Sequence, residues 1–248
     1  MNILSLFAGI GGLELGLEAA GLGTTRWQVE INPFARGVLA KHWPDAERFN
    51  DVRTVQASDV PCCDIIAAGF PCQDVSIASH TKTGIDGERS GLWREVVRLL
   101  RDIGPRCIIL ENVPTLTFRG LDRVLCDLAD HGYDAEWQTV SARDVGLRHR
   151  RQRLFIIAIL PDADRAGLQG LRPQHGLRSA KGTWNFGRFG RRSASSGLGP
   201  VAHVFPGRMD RLMALGNAVC PAVAVQVGRR AIQILERGEV SGDPWIIG

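Results

Sequence analysis

At 248 residues and 44% hydrophobic side chains, the chain can bury the core of one large α/β domain, or of an ordinary domain with a small appendage. A formal net charge of +4 permits a polyanionic partner without requiring one. No run reaches the ~18 uninterrupted apolar residues of a membrane span, none of the six cysteines stands in C-x-x-C spacing, and no secretory apolar segment opens the sequence, which sets aside a membrane protein, a zinc or redox pair and a disulfide framework in favour of a cytoplasmic, reducing setting.

Along the chain, apolar runs alternate with amphipathic ones. "NILSLFAG" reads as a buried strand and the stretch from about Leu13 to Ala20 as a helix. Between them "FAGIGG" brings Gly9, Gly11 and Gly12 into a tight turn that lets a ligand approach the backbone. A bare βα turn is the alternative. The spacing is not G-x-G-x-x-G, and Glu14 near the helix N-terminus would repel a pyrophosphate while tolerating a cationic sulfonium.

"RWQVEI" is a second strand, "PFARGVLAKHW" a helix and "ERFNDV" a short third strand. Glu30 ends the second strand and Asp51 follows the third. An acid at the first place can accept hydrogen bonds from both ribose hydroxyls. One at the second can hold an adenine amino group. Glycine loop, Glu30 and Asp51 in this order point to an adenosine-containing ligand.

"CDIIAAGF" is another buried strand, and "GFPCQDVS" sets Cys72 at its end. Pro71 fixes φ and Gly69 lets the chain turn, which would hold the thiol at the carboxyl edge of the sheet. A buried free cysteine is the ordinary fate of this residue type. The other reading is a nucleophile, followed by a polar loop, "SHTKTGIDGERSG", suited to a lid. After the helix "LWREVVRLLRDI", the strand "CIILENV" ends near Glu111. In the common strand order that carboxyl lies beside Cys72, as general acid to nucleophile.

"LDRVLCDLADHG" is a helix, and "DAEWQTV" and "RLFIIAIL" are strands. In "RHRRQR", Arg151 and Arg153 point the same way by the period of a strand, toward one polar substrate or into a solvated basic turn. The alternation predicts an α/β fold with a doubly wound, mostly parallel sheet.

The pattern breaks at Pro161. From Asp162 to Phe205 Gly, Ser and Arg dominate, with Arg188, Arg191 and Arg192 close to Trp184, Phe186 and Phe189. This is either a solvated linker or a surface that contacts a nucleic-acid backbone and stacks on bases. Then "RMDRLMALG" is helical, and "PAVAVQVGRRAIQIL" carries Val223, Val227, Ala231 and Ile234 on one face, to pack back on the sheet. The expected divisions are residues 1–160, 161–206 and 207–248.

"FAGIGG", "GFPCQ", "ENV", "RRQRLFIIA" and "LGNAVCP" stand in one order between about Leu4 and Arg230. In these motifs the chain resembles the DNA cytosine-5 methyltransferases, as a small form with a short target-recognition region. The resemblance implies a Rossmann-like catalytic domain, S-adenosyl-L-methionine as cofactor and S-adenosyl-L-homocysteine as product. It further implies double-stranded DNA as partner, no metal, no membrane and a monomer, in a restriction system or a phage.

In those terms Cys72 attacks C6 of a flipped-out cytosine, Glu111 contacts N3 and the exocyclic amine, and Arg151 and Arg153 orient the base and help hold the thiolate. Phe7, Ala8, Gly9, Gly11 and Gly12 line the cofactor with Glu30, Ile31, Asp51, Val52 and Pro71. Asn217, Ala218 and Val219 complete that side, Asn217 also bracing the catalytic loop. Gln73, Ser76 and Arg89 meet the DNA, as do Arg188, Arg191 and Arg192. The family often has an acid where Ser5 stands, an aromatic where Ile31 stands and a glutamine where His149 stands. A recognition region this short presents few base-reading side chains, so a short or relaxed target is expected, with affinity leaning on phosphate contacts. Two alternatives are a tRNA cytosine-5 methyltransferase, whose branch resembles "PPCQ" with a Cys-Phe-Thr signature absent here, and a non-catalytic DNA-recognition protein that binds the cofactor.

Overall fold

Strand Ile65–Ala68 is Ile-Ile-Ala-Ala with every side chain buried, and Cys107–Asn112 is buried throughout. Apolar runs of this kind belong at the centre of a sheet covered on both faces. That is where the computed structural model, which describes residues 1–71, 91–161, 208–242 and 245, places them. In chain order the strands are β1 (Asn2–Leu6), β2 (Thr24–Val29), β3 (Glu47–Phe49), β4 (Ile65–Ala68), β5 (Cys107–Asn112), β6 (Asp134–Ser141) and β7 (Gln152–Ile159). Among the described residues they form one seven-stranded sheet, ordered β3-β2-β1-β4-β5-β7-β6. The helices are α1 (Gly12–Ala19), α2 (Pro33–His42), α3 (Gly91–Ile103), α4 (Leu121–Ala129), α5 (Arg208–Asn217) and α6 (Pro221–Arg237).

Alternate side chains of the central strands feed two cores. Leu4, Leu6, Ile66, Ile108 and Leu110 pack against α3 and α4. Ile3, Ile65, Ala67 and Ile109 pack against α1 and α6, where Val223, Val227, Ala231 and Ile234 are all buried as their spacing predicts. β4 pairs in parallel with β1 and with β5, so the ends carrying Gly69 and Glu111 are neighbours. β7 alone is reversed, antiparallel to both β5 and β6. Residues 142–151, which open with the 3-10 turn Ala142–Val145, link β6 to β7 without a crossover helix. A parallel pair would need a crossover of a dozen or more residues. The reversal brings the amino end of β7, with Arg153, to the edge where the parallel strands end.

The crossing of α1 and α6 is close because its residues are small. A Cβ on Gly16 would collide with Ala224 Cβ and the Pro221 carbonyl, and one on Gly228 would lie 2.7 Å from Ala20 Cβ. Gly16→Ala is therefore expected to destabilise the protein by about 1–3 kcal/mol, the usual cost of overpacking. Gly37→Ala, in an exposed stretch of α2 with nothing near its would-be Cβ, is the control. Its stability in urea denaturation should be unchanged or slightly raised.

Candidate active site

A cavity of about 710 Å³ runs along the carboxyl edge of the sheet. Phe7, Ala8, Gly9 and Gly12 line it from the β1–α1 turn, and Glu30 and Ile31 from the end of β2. Asp51 and Val52 line it after β3, and Asn217, Ala218 and Val219 close one side between α5 and α6. Phe7 has φ +57, a left-handed conformation that costs a bulky residue about 1–3 kcal/mol. This strain sits where the strand gives way to the cavity. Gly9, also at φ +57, has nothing within 4 Å of a would-be Cβ, so the turn leaves room against its backbone.

Glu30 is held at both oxygens, by the Gly9 N–H at 2.8 Å and the Asn32 N–H at 2.8 Å. Each oxygen retains a lone pair, as a ribose diol requires. Ile31 is 70% exposed on the cavity wall, an apolar surface for a flat ring to cover. Asp51 lines the cavity with a partner of its own. Its carboxylate already takes the Arg53 guanidinium, with Nη2 2.6 Å from Oδ2, and Arg53 holds it below the usual carboxylate range. Arg53 is 65% exposed, so this pair is weak and exchangeable. Gly11 precedes α1 as its N-cap at φ +88 and is not among the lining residues; it packs so closely on Trp43 that a Cβ would collide with the indole.

At the other end stand Gly69, Phe70, Pro71, Glu111, Asn112 and Arg153. Glu111 is buried at the end of β5, with Arg153 Nε 2.7 Å from its Oε1. The contact has the distance of an ion pair without the alignment of a hydrogen bond, so Oε1 has no hydrogen-bond partner. Burial pushes the Glu111 carboxyl up, against the opposing pull of Arg153 and Arg151. A Cβ at Gly69 would lie 3.3 Å from Glu111 Oε2, so glycine keeps the approach to that oxygen open.

Arg151 is near enough to act on Glu111 electrostatically but takes a different partner from Arg153. Its Nη1 donates to the Gly216 carbonyl at 2.6 Å, while Nε and Nη2 are buried without hydrogen-bond partners. Of the two arginines expected to face one substrate, Arg153 lines the cavity and Arg151 does not. Asn112 has a role that sequence reasoning missed, although it stands in the quoted "ENV". Its Nδ2 donates to the Phe70 carbonyl at 2.9 Å and ties the turn before Cys72 to β5. Cys72, Gln73, Ser76, Arg89, Arg188, Arg191 and Arg192 lie outside the described residues.

The cavity suits an adenosine bearing a positive charge. Acids stand at Glu14, Glu30 and Asp51 along its wall, and Glu14 Oε2 is a buried oxygen with no partner. Among the described residues no helix is long and apolar enough to cross a membrane.

Residues 1–180 match the model of the C-5 cytosine-specific DNA methylases. The chain is 39% identical over 168 residues to the Type II methyltransferase M2.BsuMI of Bacillus subtilis, covering 64% of this chain and 42% of that protein. It is 40% identical over 161 residues to the Type II methyltransferase M.CviJI of Paramecium bursaria Chlorella virus IL3A, covering 64% and 43%. The chain thus spans less than half the length of these relatives. In fold it is similar to the S. pombe Dnmt2 methyltransferase, with TM-score 0.56 at 22% identity over 64% of this chain and 51% of that one. The methyltransferase EhMeth of Entamoeba histolytica gives 0.54 at 24%, over 64% and 53%.

Proposed function

Because the chain belongs to the C-5 cytosine-specific DNA methylase family, we propose that it is a DNA cytosine-5 methyltransferase working through a covalent bond between Cys72 and C6 of a flipped-out cytosine. The observation that carries this reading is one continuous cavity wall, from Glu30 and Asp51 to Pro71 and Glu111. S-adenosylmethionine would supply an electrophilic methyl group there. Glu30 would accept the ribose hydroxyls, and Asp51 the adenine amino group once Arg53 yields. Pro71, on the wall, leads directly into Cys72, and Asn112 fixes the turn from which that thiolate would be presented.

Cys72 would add to C6 while Glu111 gives its proton to N3, moving ring electrons toward C5, which takes the methyl group. Loss of the C5 proton to water, with N3 returning its proton to the Glu111 carboxylate, would then restore the double bond and expel the Cys72 thiolate. Arg153 would hold the Glu111 carboxyl in place against the base. Arg151, bonded to Gly216, would join the catalytic end to the last turn of α5, which carries Asn217. Duplex DNA is the substrate in this reading, with a short or relaxed target read by residues 161–206, in the cytoplasm of a bacterium or of a phage-infected cell.

The test offers duplex DNA and tRNA with methyl-labelled S-adenosylmethionine, then maps the product by bisulfite sequencing. Label in DNA at cytosines within a short or degenerate motif is the expected result. A strict six-base target would overturn the relaxed-target reading. Label in tRNA alone would replace DNA by RNA as substrate, and no label with either would leave a binding protein without catalysis.

A further inference from the structure

One acid in the cavity wall has no task in the mechanism above. Glu14, in the first turn of α1, is fully buried and stands in the wall beside Ser5. The Ser5 hydroxyl donates to Oε1, and Oε2 has no hydrogen-bond partner. Gln28, the cross-strand neighbour of Ser5 on β2, is likewise buried, with both amide atoms unpartnered.

The charges that bear on Glu14 are Glu18, one turn further along α1, and Glu30, beyond the end of β2. Both are acids. Among the described residues no cation stands among the charges that bear on Glu14. From β4 comes Ala67 beside Ser5, and from the α6 side come the Val219 and Pro221 carbonyls and Ala224, against Gly12 and Gly16. A buried carboxylate so placed lacks a counter-charge, and burial pushes Glu14 up to about 7. A cation entering the cavity would supply what is missing.

We infer that Glu14 is a specificity-determining residue that ionises as the sulfonium cofactor binds, and so separates S-adenosylmethionine from its neutral-sulfur product S-adenosylhomocysteine. The inference rests on the cofactor reading of the cavity. The two ligands share their adenosine and amino-acid parts and differ by one methyl group and one positive charge at sulfur. Hydrogen bonds to the shared parts do not discriminate between them, whereas a carboxyl that changes charge does. The step balances as protonated Glu14 plus cationic ligand giving the ionic pair and one proton to solvent.

The sign follows from that balance. Below about pH 7, binding of the sulfonium must expel the Glu14 proton, so its affinity falls by up to ~10-fold per pH unit of acidification. Above that range Glu14 is already ionised and the affinity levels off. The neutral-sulfur product draws no proton from Glu14.

Calorimetric titration in two buffers of different ionisation enthalpy, from pH 6 to 8, reads both dissociation constants and the protons released. Protons that titrate on the ligand itself are common to wild type and the neutral isostere Glu14→Gln, so the difference between these proteins isolates Glu14. Wild type is expected to release roughly half a proton or more beyond Glu14→Gln with S-adenosylmethionine near pH 6.5, and no excess with S-adenosylhomocysteine. The ratio of the two dissociation constants should shift by about threefold to tenfold in favour of the sulfonium across this range, in wild type alone. Ser5→Ala removes a donor that favours the charged form, and is expected to move the wild-type midpoint to higher pH, which keeps the test decisive if Glu14→Gln does not fold. Equal proton release in wild type and Glu14→Gln, or an unmoved midpoint in Ser5→Ala, overturns the inference. Failure of wild type to bind either ligand removes the cofactor reading, and this inference with it.

Discussion

Glu111→Gln is expected to slow methyl transfer by ~10²–10⁴-fold, the usual contribution of a positioned proton donor, while S-adenosylmethionine binding stays within about threefold, because the loss acts on the transition state rather than on the ground state. Glutamine keeps the shape and can still donate a hydrogen bond to cytosine N3, but it has no proton to give up as Cys72 adds at C6. The pH dependence carries the same information. Burial raises the Glu111 carboxyl against the pull of Arg153 and Arg151, so its protonated, competent form persists to higher pH than an ordinary glutamate allows. Wild-type single-turnover rates should fall on the alkaline side as Glu111 loses that proton, and this limb should vanish in Glu111→Gln. A duplex carrying 5-fluorocytosine separates addition from release, because fluorine at C5 blocks the final proton loss. Wild type should trap as a covalent complex, Glu111→Gln should trap slowly, and Cys72→Ser should not trap at all. Wild-type rates in Glu111→Gln would remove the proton-donor role, and trapping by Cys72→Ser would move the nucleophile elsewhere.

What the sequence made legible follows the reach of each physical signal. Continuous apolar runs such as Ile65–Ala68 have to be central strands, so β4, β5 and the acids at strand ends were placed correctly from local pattern. The face of α6 was legible for the same reason: Val223, Val227, Ala231 and Ile234 repeat at helical spacing and are buried together. The partners of those side chains were not legible. Arg151 bonds a carbonyl 65 positions away, and Asn112 one 42 positions away, and no period in the sequence encodes either contact. Asp51 was read as an adenine acceptor because acids follow third strands in such sheets. Its capture by Arg53, two residues on, depends on a side-chain conformation rather than on a pattern. Gly11 looked like part of the ligand turn, but the close approach it permits is to Trp43. Glu14 was half legible. Its place at the start of α1 argued for a cationic ligand, but its complete burial and its bond to Ser5 required the fold.

Arg230→Met is expected to cost about 3–5 kcal/mol of stability, the penalty for leaving one member of a buried ion pair without its partner. Arg230 on α6 meets Glu136 on β6 through two bonds, Nε to Oε1 at 2.6 Å and Nη2 to Oε2 at 2.9 Å, and Nη2 also donates to the Ser241 hydroxyl at 2.8 Å. Both charged side chains are buried, so Arg230→Met leaves a carboxylate with neither counter-charge nor water. Arg230→Met combined with Glu136→Gln should regain most of the loss at pH 7, since the cost lies in the unpaired charge more than in the missing contact. Urea denaturation of the three proteins at pH 7 measures this. A double variant no more stable than Arg230→Met would mean that the pair acts through packing. The consequence reaches the cavity, because α6 begins two residues after Val219 on its wall. Loosening α6 should weaken cofactor binding, and by the same linkage saturating S-adenosylmethionine should return part of the lost stability, about 3 kcal/mol at a hundred times its dissociation constant.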